Sequence, residues 1–317
     1  MITIKFEKSL AVTVQKIIQE TPNIKRFFLS SKEKLPPFSA GSHITTYLDG
    51  HEGHYSLVSH LAENMYEIAV RRETQSNGTS TYWHDAIREG DQVKISYPRN
   101  HFALSFRAKH HVFFAAGIGI TPFMAMMAEL QARGSSFELH YAARSRAECA
   151  FHQLISRKYP AQSEFYFSQE EEKRRMTTKP LLNQPIGTHV YFCGPELMLS
   201  QFSEAALSYG YPKGSLHFER FTANKAPSPV PFQVELCKSK RELTVPKDCT
   251  LLDVLLKAGV KAPYSCKVGE CGTCELEVLD GKVDHYDSFL SEEEKEEQGA
   301  ILTCVSRACS EKLVLNI

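Results

Sequence analysis

Tyr264-Ser265-Cys266-Lys267-Val268-Gly269-Glu270-Cys271-Gly272-Thr273-Cys274 is the stretch on which the reading of this chain turns. Its cysteines are spaced C-x4-C-x2-C, and 29 residues separate Cys274 from a fourth, Cys304, in Leu302-Thr303-Cys304. This is the plant-type ferredoxin spacing for a [2Fe–2S] cluster, in which four thiolates hold two irons. Gly269 and Gly272 let the backbone curl round such a cluster and aim N–H groups at its sulfurs. A structural zinc site and four buried core thiols are the alternatives. Zinc sites usually pair two C-x2–4-C knuckles, whereas here the fourth cysteine stands alone. The expected metal ligands are Cys266, Cys271, Cys274 and Cys304. The remaining five cysteines (Cys149, Cys193, Cys237, Cys249 and Cys309) read as small buried hydrophobes. Nine is an odd number, and no disulfide framework is expected.

The cysteine loop lies in a compact acidic unit, residues 232–317, with 11 basic and 16 acidic side chains. Residues 223–231 form a linker within the proline-rich TANKAPSPVP. Residues 106–222 alternate strand and helix: His111–Ala115, Pro122–Arg133, Phe137–Tyr141, Cys149–Lys158, His189–Phe192 and Glu196–Leu207. That is the signature of an α/β Rossmann-like domain with a parallel sheet. Residues 1–105 are strand-rich, with Ala11–Val14, Ile44–Leu48, Tyr66–Val70 and Gln92–Ser96 bounded by turn clusters. One helical interruption near Thr81–Arg88 leaves an antiparallel β-barrel as the expected architecture. The chain is thus multidomain: a barrel, an α/β domain and an α+β (β-grasp) ferredoxin domain. Val112–Ala128 is 17 residues without a charge, but its two glycines and Pro122 favour strand, turn and helix over a membrane span. Lys+Arg and Asp+Glu both total 37, which argues against a general nucleic-acid binder. No signal peptide is apparent at Met1–Lys5, so a cytoplasmic protein is expected.

Ala116-Gly117-Ile118-Gly119-Ile120-Thr121-Pro122 joins a strand to a helix. Gly117 and Gly119 permit close backbone approach, and the helix start offers N–H groups to a phosphate. The third glycine of the dinucleotide fingerprint is missing, so a plain tight turn remains open. Cys193-Gly194-Pro195 repeats the same strand–turn–helix logic further on, at the sheet edge where ligands bind in open α/β folds.

Together, the strand barrel, the GIGITP and CGP turns and the ferredoxin tail resemble the phthalate dioxygenase reductase type of flavin-dependent reductase, which supplies electrons to Rieske oxygenases. The resemblance covers essentially the whole chain and includes Tyr55-Ser56-Leu57, Ser96–Phe102 and His217-Phe218-Glu219-Arg220-Phe221. It implies that FMN lies against the barrel at an Arg-x-Tyr-Ser motif, matched here by Gly53-His54-Tyr55-Ser56. Tyr55 then packs on the isoalloxazine and Ser56 bonds near flavin N5, while the arginine is replaced by Gly53. Ala69-Val70-Arg71 and Asn77-Gly78-Thr79-Ser80 match the other flavin-contacting stretches, and Thr121 matches a position beside the flavin. Cys193 matches a position beside the nicotinamide. Phe221 corresponds to the aromatic that covers the flavin face until nicotinamide displaces it. The functional set implied for hydride transfer is Ser56, Thr121, Cys193 and Phe221, and the reaction demands alignment more than acid–base chemistry.

For the nicotinamide nucleotide the expected contacts are Gly117, Gly119, Arg144, Ser145, Cys193, Gly194 and Pro195. Ala143-Arg144-Ser145-Arg146 has no acidic residue to grip a ribose diol, and arginines there suit the extra phosphate of NADP. The resemblance favours NADH. The expected function is therefore NADH-dependent reduction of FMN and a [2Fe–2S] cluster, with electrons passed to a separate Rieske-type oxygenase. The chain is expected to be monomeric and not to bind membrane or nucleic acid. The alternatives are a non-catalytic electron carrier or assembly subunit, and the same chemistry with FAD. Glu292–Glu294 with Glu296 and Glu297 is a candidate docking face or a solvated helix start.

Overall fold

A computed structural model describes residues 9–48, 51–58, 64–73, 78–223, 226 and 228–317. The chain divides into two compact units, Lys5–Glu219 and Arg220–Ile317. In the first, β1 (Ser9–Thr21), β2 (Ile24–Ser30), β3 (Ser42–Leu48), β4 (His51–Ser56), β5 (Met65–Arg71), α1 (Thr79–Asp85), β6 (Gln92–Ser96) and β7 (Arg99–Asn100) build an antiparallel sheet. Its order is β4-β3-β6-β1-β2-β5, with β7 on β3. The end strands β4 and β5 lie against one another, so the sheet curls into a barrel. Alternation along the strands sends Val12, Val14, Phe27, Leu29, Ile68 and Val70 inward around the fully buried Trp83 of α1.

The same unit continues with β8 (His110–Ala116), α2 (Thr121–Ala132), β9 (Phe137–Ala143), α3 (His152–Lys158), β10 (Ser163–Phe167), β11 (Thr188–Cys193), α4 (Glu196–Ser208) and β12 (Leu216–Glu219). These strands form a wholly parallel sheet in the order β10-β9-β8-β11-β12. The order reverses between β8 and β11, which makes their carboxyl ends the switch point of a doubly wound sheet. Its core around Phe113, Phe123, Tyr141 and Tyr191 also takes in Ile24, Val58 and Ala69, so barrel and sheet share apolar packing. The uncharged stretch 112–128 is strand, turn and helix. Among the described residues no helix is long and apolar enough to cross a membrane. α3 starts at His152 rather than Cys149, because Phe151 takes a left-handed φ of 60° just before it.

In the second unit, β13 (Phe232–Leu236), β14 (Arg241–Val245), α5 (Leu251–Lys257), β15 (Glu275–Asp280), β16 (Val283–Asp284), α6 (Glu292–Glu297), β17 (Ala300–Leu302), β18 (Arg307–Ala308) and β19 (Lys312–Leu315) follow. The main sheet runs β14-β13-β19-β15-β17, with β13 and β19 parallel and a β16–β18 pair beside it. Thr250 opens α5 with a capping box to Asp253, and Leu251, Leu252 and Leu255 bury against the sheet. The expectation that all five remaining cysteines are buried is corrected here. Cys149 and Cys193 are, but Cys237 and Cys309 are exposed and Cys249 is intermediate. Cys237 and Cys309 each lie just beyond a strand end, where no sheet face covers them.

Candidate active site

At the switch point the GIGI turn after β8 and the Cys-Gly-Pro turn after β11 press together. A Cβ on Gly119 would lie 2.2 Å from the Cys193 carbonyl oxygen, so only glycine fits. Gly117 adopts φ +56°, and its carbonyl accepts a 2.9 Å hydrogen bond from the Tyr141 hydroxyl. Thr121 is buried, and its hydroxyl donates to the Ile118 carbonyl at 3.0 Å. Cys193 is fully buried. Gly194 is packed by Met198 and Ala116, each within about 3 Å of where a Cβ would stand.

Outside these turns opens a cavity of about 620 Å³. Gly117, Arg144 and Pro195 line it, as expected, and so does Arg71 from the end of β5. Gly119, Ser145, Cys193 and Gly194 stand behind or beside the lining rather than in it. The sequence reading did not single out Tyr166, Arg174 or Arg175, which complete the wall. Arg174 pairs with Glu164 at 2.5 Å and lies 5.3 Å over the Tyr166 ring. The two arginines sit in the charge run Glu170–Arg175, which alone reads as a solvated loop. Among the described residues, four arginines against one acidic group, Glu148, make this wall suited to a polyanionic ligand of nucleotide size.

On the barrel, β4 alternates its side chains. Tyr55 is half-buried and meets Trp83 edge-on at 6.1 Å, and burial pushes its hydroxyl pKa up. A Cβ on Gly53 would lie 2.8 Å from the Tyr55 hydroxyl and 2.9 Å from the Thr79 methyl, so these two groups occupy the place of the missing arginine's stem. His54 Nδ1 lies 3.0 Å from Thr45 Oγ1. The buried Ser56 donates to Glu219 at 3.4 Å, a partner the sequence reading gave no role. Ala69 and Val70 are buried, and Gly78, Thr79 and Ser80 lie at the start of α1. Thr79 donates to the Glu52 carbonyl, and Ser80 Oγ accepts from the Glu73 N–H at 3.1 Å. Asn77 lies outside the described residues.

In the second unit the four expected thiols fall into two pairs. Cys274 Sγ and Cys304 Sγ are 3.2 Å apart, and Cys266 N–H faces Cys271 Sγ at 3.5 Å. Among the described residues no three His, Cys, Asp or Glu side chains gather where one ion would be held. Two pairs suit two irons, whereas a tetrahedral zinc needs four donors at one point. The loop is built to face anionic sulfur. Val268 N–H points at Cys266 Sγ at 3.5 Å, the N–H of Glu270 also faces Cys266, and that of Gly269 faces Cys304. Within each pair the shared hydrogen bond lowers one thiol and raises the other: Cys266 lowers Cys271 and is itself raised, and Cys304 lowers Cys274 and is itself raised. Lys267, Gly269 and Gly272 all take left-handed φ to turn the chain this tightly. Phe289 lies flat against Gly272, 2.3 Å from where a Cβ would stand. Phe221, near the start of this unit, is 44% exposed.

The comparisons with known proteins agree with this geometry. Residues 234–309 match the 2Fe-2S iron-sulfur cluster binding domain, and residues 93–216 match the N-terminal domain of dimethylamine monooxygenase subunit DmmA-like proteins. The chain is 39% identical over 312 residues to the heme-dependent oxidative N-demethylase beta subunit of Ectopseudomonas mendocina (strain ymp), covering 97% of this chain and 99% of the relative. It is 37% identical over 303 residues to the carnitine monooxygenase reductase subunit of Acinetobacter pittii (strain PHEA-2), covering 94% and 99%. Among solved structures, phthalate dioxygenase reductase, described as a modular structure for electron transfer from pyridine nucleotides to [2Fe–2S], aligns with a TM-score of 0.80 at 33% identity over 98% of both chains. Barrel, nucleotide cavity and thiol loop define a flavin- and iron–sulfur-dependent oxidoreductase. This chain belongs to the phthalate dioxygenase reductase-type family.

Proposed function

We propose that this protein takes hydride from NADH onto FMN and passes the electrons through its [2Fe–2S] cluster to a separate Rieske-type oxygenase. The observation that carries the reading is the pairing of four thiols in a loop whose N–H groups face their sulfurs, in one chain with an arginine-lined cavity at a sheet switch point. When bound, the flavin accepts electrons as a pair and the cluster takes them singly. Gly117, Gly119, Gly194 and Pro195 shape the turns that seat the dinucleotide, with Arg144 and Ser145 toward its ribose end and Cys193 backing the nicotinamide. Tyr55 packs on the flavin ring, and Ser56 and Thr121 supply hydroxyls to it. Arg71 and the Gly78–Ser80 segment hold the FMN phosphate in place of an arginine at position 53, supported by the opening of Arg71 into the cavity. Cys266, Cys271, Cys274 and Cys304 hold the irons. Nine free thiols suit a reducing, cytoplasmic setting, and the protein acts as a monomer.

Anaerobic addition of NADH to the purified protein tests this. Loss of the oxidised flavin absorbance is the expected result, and no loss returns the chain to a carrier or assembly subunit. Mass measurement of the released cofactor separates FMN from FAD. A second reading of the partner has its own support, because the relative at 39% identity is named as a subunit of a heme-dependent demethylase. Reduction of purified Rieske and haem oxygenases side by side separates the two.

A further inference from the structure

Glu270 sits between Gly269 and Cys271, so its carboxylate is carried on the loop that binds the irons. It is mostly buried, and so is its partner, with side-chain exposures of 17% for Glu270 and 15% for Arg220. Arg220 Nη1 donates to one carboxylate oxygen at 2.8 Å and to Ser288 Oγ at 3.3 Å, and the Arg220 backbone N–H donates to the other oxygen at 3.3 Å. Ser288 in turn donates its N–H to the Gly269 carbonyl at 3.0 Å. One arginine thus ties both oxygens of Glu270 to the turn behind the cysteine loop.

A two-iron centre with four thiolates is anionic, and reduction adds one electron without an added proton. A carboxylate charge on the loop opposes that electron and a guanidinium charge favours it, and both groups are mostly buried, where solvent screens them weakly. We propose that Arg220 is a positioning residue that holds and neutralises Glu270 and thereby sets the reduction potential of the cluster. This rests on the cluster assignment above and adds to it a role for two residues outside the four ligands.

The test is a potentiometric titration of the full-length protein, followed by the electron paramagnetic resonance signal of the reduced cluster rather than by turnover. Glu270→Gln removes the negative charge and keeps the guanidinium's, and is expected to raise the midpoint potential. Arg220→Gln removes the positive charge and keeps the carboxylate's, and is expected to lower it, and the double variant to return toward the parent value. Arg220→Lys keeps the charge and should stay near the parent. Unchanged potentials, or shifts of one sign in both single variants, overturn the inference and leave the pair as a fold brace. Should Arg220→Gln lose its iron, Glu270→Gln decides alone, since an unmoved potential there refutes the charge argument. A parent protein without the cluster signal overturns the cluster assignment instead, so the two failures are told apart.

Discussion

Gly119 carries a constraint that sequence spacing only hints at. Its neighbour across the switch point is backbone, the Cys193 carbonyl, which cannot swing aside as a side-chain tip would. Gly119→Ala is therefore expected to cost about 1–3 kcal/mol of stability and to weaken nucleotide binding; thermal melting and NADH titration read both. Arg144 poses a different question. It is exposed at the cavity mouth, and among the described residues the only acidic group in the lining is Glu148. Arg144→Ala should raise KM for NADPH about tenfold while changing KM for NADH little, if the guanidinium meets a ribose phosphate. Equal effects on both nucleotides would remove Arg144 from specificity.

Among the elements, the parallel sheet has a titrating face. His189 Nδ1 lies 2.9 Å from His217 Nε2, and His217 and His111 both stack on Tyr191. Burial, with the neighbouring His189 and His111 adding to it, lowers the His217 pKa from 6.5 to about 4; burial also lowers His111 and His189. Burial thus disfavours the charged form of all three rings in the folded protein, while the unfolded chain protonates near pH 6.5. Their contribution is fully present above that pH and declines as pH falls below it, the loss from His217 continuing down to about pH 4. Denaturant titrations at pH 7.5 and pH 5 should show the loss, and His217→Gln should flatten it; a parent protein equally stable at both would contradict the sign. The sequence concealed this face because histidines at single positions along short strands carry no period. Legibility elsewhere followed the same physics. Strands with apolar alternation, such as β3 and β5, were readable, and so were glycines at a strand–helix junction. β4 was not, since His51-Glu52-Gly53-His54 carries little apolar signal and its burial is only partial. The thiol loop was legible through spacing alone, whereas Arg220, Glu270 and Phe289 acquire meaning only once the chain folds them against it.

For the molecule as a whole, the two-unit division has consequences that mutation can separate. The thiol loop draws its packing from the second unit's own core, and all described residues that line the nucleotide cavity belong to the first. Cys271→Ser should therefore abolish cluster absorbance while NADH still bleaches the flavin; loss of both together would mean that the units do not fold independently. Phe221→Ala is expected to alter nicotinamide affinity or hydride rate, and an unchanged stopped-flow trace would remove its gating role.

Docking is the remaining question at this scale, and the acidic run supplies a test once its structural duties are subtracted. α6 opens with a capping box in which Ser291 Oγ accepts from Glu294 N–H and the Glu294 carboxylate accepts from Ser291 N–H at 2.7 Å. Glu292 pairs with Lys295 at 2.9 Å. Reversing Glu294 would thus cost the cap about 1 kcal/mol and confuse folding with docking. Glu296 and Glu297 are exposed and lie outside the cap and that pair. Lysine at those two positions should slow reduction of a partner oxygenase, most strongly at low salt, and leave ferricyanide reduction unchanged. Equal slowing with both acceptors would place the defect in internal electron flow, and no slowing with either would return the acidic run to a solvated helix face.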